Sequence, residues 1–319
     1  MSEKKSSVMR ERNMQTVTSS QKVRKIVAQV LLYTFLIIMA LIIIFPFYWM
    51  LISSVKSVDE YRLATPTLFP QKFMWSNYMD AFEVGSLGRL FLNTLYVGLV
   101  STLLSLVITV LSAFAFARLE FRGKNALFAA LLATMMIPGE LFTITNYQTV
   151  NDFFGLHTLG IQNQSEMLKT LGNWQNTFAV LIIPFLVSVF YIYLLRQNFL
   201  QIPNELYLAA KVDGTSDIKY LWKVMIPLSL PTLISITILK MMGAWNSYVW
   251  PRLVTTVTAE KNLQLITNGL RNAFTESTGD VNIPVQMAAV AIVSFPLFLV
   301  FIFLRKYIMK GVSRSGIKG

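Results

Sequence analysis

Two ionisable side chains interrupt otherwise apolar runs, Glu140 within residues 126–144 and Lys240 within residues 227–250. An acid and a base in such positions can relay protons, pair with each other or line a polar cavity, and each of these uses needs protein around it. Counted from the start of its run, Glu140 stands 14 residues in and Lys240 13. At about 1.5 Å per helical residue, both lie about 20 Å along their helices. The matched depth makes an ion pair or a shared cavity the sharper expectation, while snorkelling and separate pairing with another chain are the plainer ones. Proton-coupled secondary transport through Glu140 and Lys240 is a chemistry that such a pair would serve. Pro138-Gly139 loosens the chain beside Glu140.

Little other chemistry is available. The 319 residues include no cysteine and one histidine, His157, which removes disulfides, thiol nucleophiles, cysteine zinc sites and a histidine-built metal centre. There is no Gly-x-x-x-x-Gly-Lys-Ser/Thr phosphate loop, no serine nucleophile elbow and no paired carboxylates with a supporting base. The chain is therefore expected to be no enzyme, to hold no metal and no cofactor, and not to hydrolyse ATP itself.

The elements that must position Glu140 and Lys240 are apolar helices. Hydrophobic residues make up 54% of the chain and charged ones 14%, against about a quarter charged in soluble domains. Six apolar runs, 26–52, 91–117, 126–144, 178–195, 227–250 and 285–304, are each near or above the roughly 18 to 20 residues that cross a bilayer as a helix. The pattern predicts an all-α polytopic membrane protein with six transmembrane helices. The first run exceeds the roughly 7 to 15 residues of a signal-peptide core and lacks a small-residue cleavage pattern, so it is expected to stay as a helix.

Charge fixes the orientation. Nineteen of the 28 Lys and Arg fall in residues 1–25, 118–124, 196–223 and 305–319, and eight in the segments on the other side. The positive-inside rule then places both termini in the cytoplasm. The net charge of +12 becomes an orientation signal, with no nucleic-acid partner needed. The resulting division is a basic cytoplasmic tail 1–25, expected to lack regular structure to about Gln21, a first span 26–52, an external segment 53–90, a core 91–304 with a cytoplasmic loop 196–226, and a tail 305–319. The external segments 53–90, 145–177 and 251–284 are long enough for short surface helices or partner contacts.

The loop carries its own pattern. Leu208 and Val212 share a helical face, Asp213-Gly214 is a helix stop, and Thr215 or Ser216 can cap a second helix on which Ile218, Leu221 and Trp222 share a face. Two short amphipathic helices about a glycine turn make an apolar knob, suited to a partner's groove or to the lipid surface.

The run Glu205-Leu206-Tyr207-Leu208-Ala209-Ala210-Lys211-Val212-Asp213-Gly214, followed by Val224-Met225-Ile226-Pro227 and Pro231, resembles the EAA loop of permease subunits in bacterial ATP-binding-cassette importers. Leu111 to Leu119 with Phe121-Arg122-Gly123-Lys124, then Met136-Ile137-Pro138, Trp245-Asn246-Ser247-Tyr248-Val249-Trp250-Pro251 and the ending Gly316-Ile317-Lys318-Gly319 are similar to the MalG-like branch that imports carbohydrate. The likeness covers roughly residues 77–319.

The resemblance implies a multi-pass subunit of the bacterial plasma membrane. It implies as partners a sister MalF-like permease, two ATP-binding subunits that hold ATP and Mg, an extracellular solute-binding protein and the lipid bilayer. It also implies ATPase coupling through Glu205, Leu208, Ala209, Ala210, Asp213 and Gly214. Leu208 stands where the family usually has the glutamate of the motif, so docking is expected to lean on apolar contact and on close approach at Gly214. Residues 160–175 look like an insertion. Trp245, Asn246 and Tyr248, with Glu140 and Lys240, are candidates for the translocation pathway, since rings and amides suit a sugar's C–H faces and hydroxyls. An aromatic belt at the outer interface accounts equally for Trp245, Tyr248 and Trp250, but less well for Asn246.

Overall fold

The computed structural model describes residues 2–151, 175–255, 263–275 and 282–313, with side chains from Arg24 to Arg305 within those ranges. His157 and the insertion 160–175, apart from Gln175, lie outside the described residues, as does the ending 314–319. The described residues are helical, with no strand among them.

Helix α1 (Ser2–Ser54) contains the first span, Arg24–Ser54. It runs through the basic tail to Ser2, so the expectation of an unstructured segment to Gln21 is corrected. The tail's Ser, Thr and Gln are neutral helix residues, and the long apolar helix behind them supplies a nucleus they can extend. α2 (Val58–Tyr61) and α3 (Ser76–Val84) occupy the first external segment. α4 (Leu87–Arg118) is the second span and the centre of the molecule.

The next three spans are bent, each for a local reason. α5 (Lys124–Thr134) and α6 (Phe142–Asn151) meet at 80° across Pro138 and a 3-10 turn at Gly139–Leu141 that contains Glu140. α7 (Phe178–Ile182) breaks at Pro184 before α8 (Val189–Leu200), whose first turn is capped by Ser188, with a 47° bend. Proline removes an amide donor and crowds the preceding turn, which is enough to break a helix at each place.

After α8 come α9 (Asn204–Val212), α10 (Asp217–Tyr220), a π turn at Leu221–Met225 and α11 (Ile226–Leu228). The chain then turns 80° into α12 (Leu230–Trp245), with Pro231 in its first turn. α13 (Val249–Val254) and α14 (Ile266–Thr275) fill the last external segment, and α15 (Ile283–Ser313) contains the final span. By length and composition the six spans expected from the sequence are present, three as single helices and three as bent pairs.

α4 packs against α8, α12 and α14, and α15 packs against α1, α3 and α12. One apolar cluster joins α4, α12, α14 and α15 around Leu90, Trp245, Ile266 and Ala288. A second, around Phe114, Leu195, Phe199, Tyr220 and Leu221, joins α4 and α8 to the cytoplasmic loop. The spanning part of α1 has no buried residue in its apolar window, so its surface is left to lipid and neighbouring membrane chains.

Candidate functional site

The loop after α8 is a helix–turn–helix elbow. α9 ends in a Schellman motif: the Thr215 amide donates to the Ala210 carbonyl (2.8 Å) and the Gly214 amide to the Lys211 carbonyl (3.0 Å). Gly214 has φ +70°, the left-handed conformation that a side chain resists. A Cβ built there meets nothing within 4 Å. The glycine is thus needed for its backbone, and no group of this chain approaches it closely. Ser216 then caps α10 by accepting the Lys219 amide, as its position in the sequence predicts.

The turn is closed by a small polar cluster. The Lys211 ammonium and the Tyr207 hydroxyl both donate to Asp217 Oδ1 at 2.7 Å, and the ammonium also lies 5.4 Å from the Tyr207 ring centre. Lys211 first and Tyr207 second hold the Asp217 carboxyl below its ordinary value, while the bond to Asp217 holds the Lys211 ammonium above its own. Burial and the bond to Asp217 raise the Tyr207 hydroxyl.

Outside this cluster several large apolar side chains of the elbow are exposed. Val212 is 89% exposed, Trp222 63%, and Leu208 and Ile218 each 56%. Glu205, Ala209 and Asp213 are also exposed, and Ala210 is half-buried against the α4–α8 cluster. One sequence expectation is corrected. Leu221 does not share the exposed face of Ile218 and Trp222 but is fully buried, because the π turn that begins at Leu221 shifts the register and turns it into the core.

Arg118 fastens the elbow to the membrane core. The last residue of α4, it is buried and donates from Nη2 to the carbonyls of Phe199 (2.9 Å) and Ile202, and from Nη1 to Asn204 Oδ1 (3.4 Å). The Phe199 carbonyl also takes the Ile202 amide (3.3 Å), and the guanidinium fork adds a second donor to it and a donor to the Ile202 carbonyl. Arg196 makes the companion tie, donating from Nε to the Phe116 carbonyl at 3.1 Å with its guanidinium 4.1 Å from the Phe128 ring centre. Sequence reasoning gave Arg118 no role beyond its place in a motif. The available signal was an arginine ending an apolar run, which reads first as an orientation charge.

The candidate pathway residues are not brought together. Lys240 donates to the carbonyl of Phe185, at the break between α7 and α8. Glu140 lies exposed on its 3-10 turn, and the two form no ion pair. Of the alternatives the sequence left open, the direct ion pair is absent, as the 80° bend beside Pro138 swings Glu140 out of the line of α5. Trp245 is 6% exposed and sits edge-on to Phe91 at 5.0 Å in the core. Trp250 is likewise buried, its indole N–H donating to the Val180 carbonyl at 2.9 Å. Asn246 is exposed at the end of α12. Tyr248 is half-buried, with its hydroxyl bonded to Arg252 and its ring 5.5 Å from the Arg271 guanidinium.

Behind Lys240 opens a cavity of about 420 Å³, walled by α4, α7, α8, α12 and α13, with Ser101, Phe185, Ser188, Tyr191 and Trp250 among its residues. Among the described residues no group of His, Cys, Asp and Glu could hold a metal ion.

Among the described residues the fold is a bundle of apolar helices, three of them bent pairs, with a helical elbow on its basic side, the architecture of a multi-pass membrane protein. The chain belongs to the family described as the binding-protein-dependent transport system inner membrane component, whose model matches residues 18–314, and it is a multi-pass protein of the bacterial plasma membrane. It is 26% identical to the arabinooligosaccharides transport system permease protein AraQ of Bacillus subtilis (strain 168), over 92% of this chain and 97% of that one. It is 30% identical to the sn-glycerol-3-phosphate transport system permease protein UgpE of Rhizobium meliloti (strain 1021), over 87% and 93%. The fold is shared, with a TM-score of 0.71 and 23% identity over 90% of this chain and 97% of the other, with a chain in the crystal structure of a bacterial ABC transporter that imports the acidic polysaccharide alginate.

Proposed function

We propose that this chain is one of two transmembrane subunits of an ATP-driven importer of carbohydrate, oligosaccharide in particular, and that the α9–α10 elbow is its contact with a separate ATPase. Supporting the substrate class is the likeness to permeases of sugar systems over nearly the whole chain. Supporting the coupling is one observation: Leu208, Val212, Ile218 and Trp222 stand in the open on an elbow that Arg118 and a buried cluster hold rigidly to the spans. An apolar surface kept exposed on a stiff mount is suited to a partner's groove.

In this reading the partner ATPase holds ATP and Mg, and its closure pushes the elbow. The push passes through Arg118 to α4 and around the 80° bend into α12, so that the spans rock between inward and outward openings of a path shared with a sister permease. A solute-binding protein delivers the sugar to the external helices α2, α3, α13 and α14. Glu205, Leu208, Ala209, Ala210, Asp213 and Gly214 form the docking face.

The lack of cysteine gives a clean test. A single Leu208→Cys variant, purified from native membranes in mild detergent, is expected to cross-link through a short thiol reagent to one nucleotide-binding polypeptide, with a second permease in the same complex. Recovery of the chain alone, with uptake that follows a proton gradient and ignores ATP, would overturn the proposal in favour of secondary transport.

A further inference from the structure

We propose that the cavity behind Lys240 is a subsite for the acidic group of a carbohydrate, with Lys240 as its counter-charge; this rests on the transport reading above. The volume of about 420 Å³ falls in the range of about 300–1,000 Å³ typical of small-molecule sites. Its wall includes the half-buried Tyr191 ring and the half-buried Ser188 and Ser247 hydroxyls. Lys240 is the one basic residue of that wall, which holds no aspartate or glutamate.

An ammonium has three donors. The carbonyl of Phe185 takes one; it closes the 3-10 turn Ile183–Phe185, ahead of the helix that begins at Val189. The bond holds the ammonium against the α7–α8 break with donors to spare. Glu140, the other charge expected within a span, is on a different turn and does not reach it. The ion pairs among the described residues, Lys124–Glu120 and Lys211–Asp217, lie elsewhere. Ionisable side chains at membrane depth pair with backbone carbonyls or with other charges and mark the paths of substrates and ions.

The chemistry of the wall narrows what that visitor is. A neutral sugar offers the ammonium hydroxyl oxygens but no counter-charge, and a bare inorganic anion would use the ammonium and leave the Tyr191 ring idle. A uronate or phosphorylated sugar uses ring, hydroxyls and ammonium together, stacking its ring, bonding its hydroxyls and setting its anionic oxygens on Lys240.

The test uses the whole importer, purified with its own partner subunits and binding protein and reconstituted in liposomes. The probes are neutral trisaccharides of glucose, galactose and mannose and the matching tri-uronates, each supplied with internal ATP. The wild type is expected to take up a tri-uronate at least tenfold faster than its neutral counterpart. Lys240→Gln should reduce that uptake at least tenfold, mainly through a raised half-saturation concentration, with ATPase recovery unchanged, and Lys240→Arg should restore it to within about threefold. Uptake of the tri-uronate by Lys240→Gln at the wild-type rate, or a wild-type preference for the neutral sugar, overturns the subsite while leaving carbohydrate transport intact. Loss of the sister permease on purification of Lys240→Gln, with equal loss of uptake for both classes, overturns it in favour of a carboxylate on the sister chain as the partner. No ATP-dependent uptake of any probe by the wild type overturns the carbohydrate reading, and this inference with it.

Discussion

Arg118 Nη2 lies 2.9 Å from the carbonyl of Phe199, joining the last residue of α4 to the last turn of α8 across 81 positions of sequence. The same guanidinium reaches Ile202 and Asn204, where the elbow begins. A force on α9 therefore meets α4 through this buried side chain as well as through the apolar cluster around Phe114 and Tyr220. Arg118→Ala is expected to leave the Ile202 carbonyl without its donor, at about 1–3 kcal/mol for a buried unpaired group, while the Phe199 carbonyl keeps the Ile202 amide. Thermal unfolding of the purified chain should show the loss. Arg118→Lys should recover part of the stability, since a point charge cannot fork to two carbonyls as a guanidinium does. On the proposed coupling, ATP hydrolysed per sugar imported should rise in both variants, and an unchanged ratio in Arg118→Ala would remove Arg118 from the transmission path.

The elbow's closure has a defined pH range. Hydrogen bonds from Lys211 and Tyr207 depress the Asp217 carboxyl, so its contribution is present above an ordinary aspartate value of about 3.9 and is lost as pH falls through the lower folded value. Lys211 is raised by the bond to Asp217. Its contribution is complete below about 10.4 and is lost only as pH rises through the higher folded value. Amide exchange across α9 and α10 should be flat in protection from about pH 5 to 9. Asp217→Asn should lower that protection across the whole range, and only slightly, because the pair is solvated.

How much of this was legible beforehand depended on the kind of signal. Long apolar runs announce spans by length alone, and all six fall close to where the composition puts them. The elbow was legible too, because Asp213-Gly214 and Ser216 are local stop and start signals that depend on few distant contacts. The bends at Pro138, Pro184 and Pro231 were only half readable: a proline tells where a helix yields but not the angle, which packing sets. What could not be read were contacts between residues far apart. Arg118 looks like any arginine that ends a span, and Trp245 like any interfacial tryptophan, until α8 and Phe91 are folded against them. Equal depth of Glu140 and Lys240 along two helices said nothing of their azimuth, and the bend at Pro138 decides that.

Gly214 separates backbone from bulk. Its φ of +70° makes any L side chain strained, and the space around it is open. Gly214→Ala is expected to cost about 1 kcal/mol in the stability of the elbow, and Gly214→Asn less, since asparagine enters the left-handed region more readily. Neither should prevent folding of the purified chain. Gly214→Trp has room in the isolated chain, yet on the proposed docking its ring would occupy the partner's groove. Affinity purification should then recover the ATPase with Gly214→Asn and lose it with Gly214→Trp. Equal recovery with both would argue that no partner approaches the turn.

Leu208 gives the sharpest view of what the docking face uses. By the motif resemblance drawn from the sequence it takes the place of a glutamate, and 56% of it is exposed. Leu208→Glu removes no contact on which the fold depends, so the unfolding temperature of the isolated chain should stay within about 2 °C, as for a surface substitution of up to about 0.5 kcal/mol. Leucine burial in a partner's groove is worth about 1.5–3 kcal/mol, so on the proposed docking Leu208→Glu should weaken ATPase binding by roughly ten- to a hundredfold. Leu208→Met, which keeps the apolar volume, should bind nearly as the wild type does. Binding measured by titrating the purified ATPase onto the permease pair in detergent decides the matter. Tighter binding by Leu208→Glu would mean that the groove retains a cationic partner for the glutamate and that Leu208 is a loss of contact rather than a replacement for it.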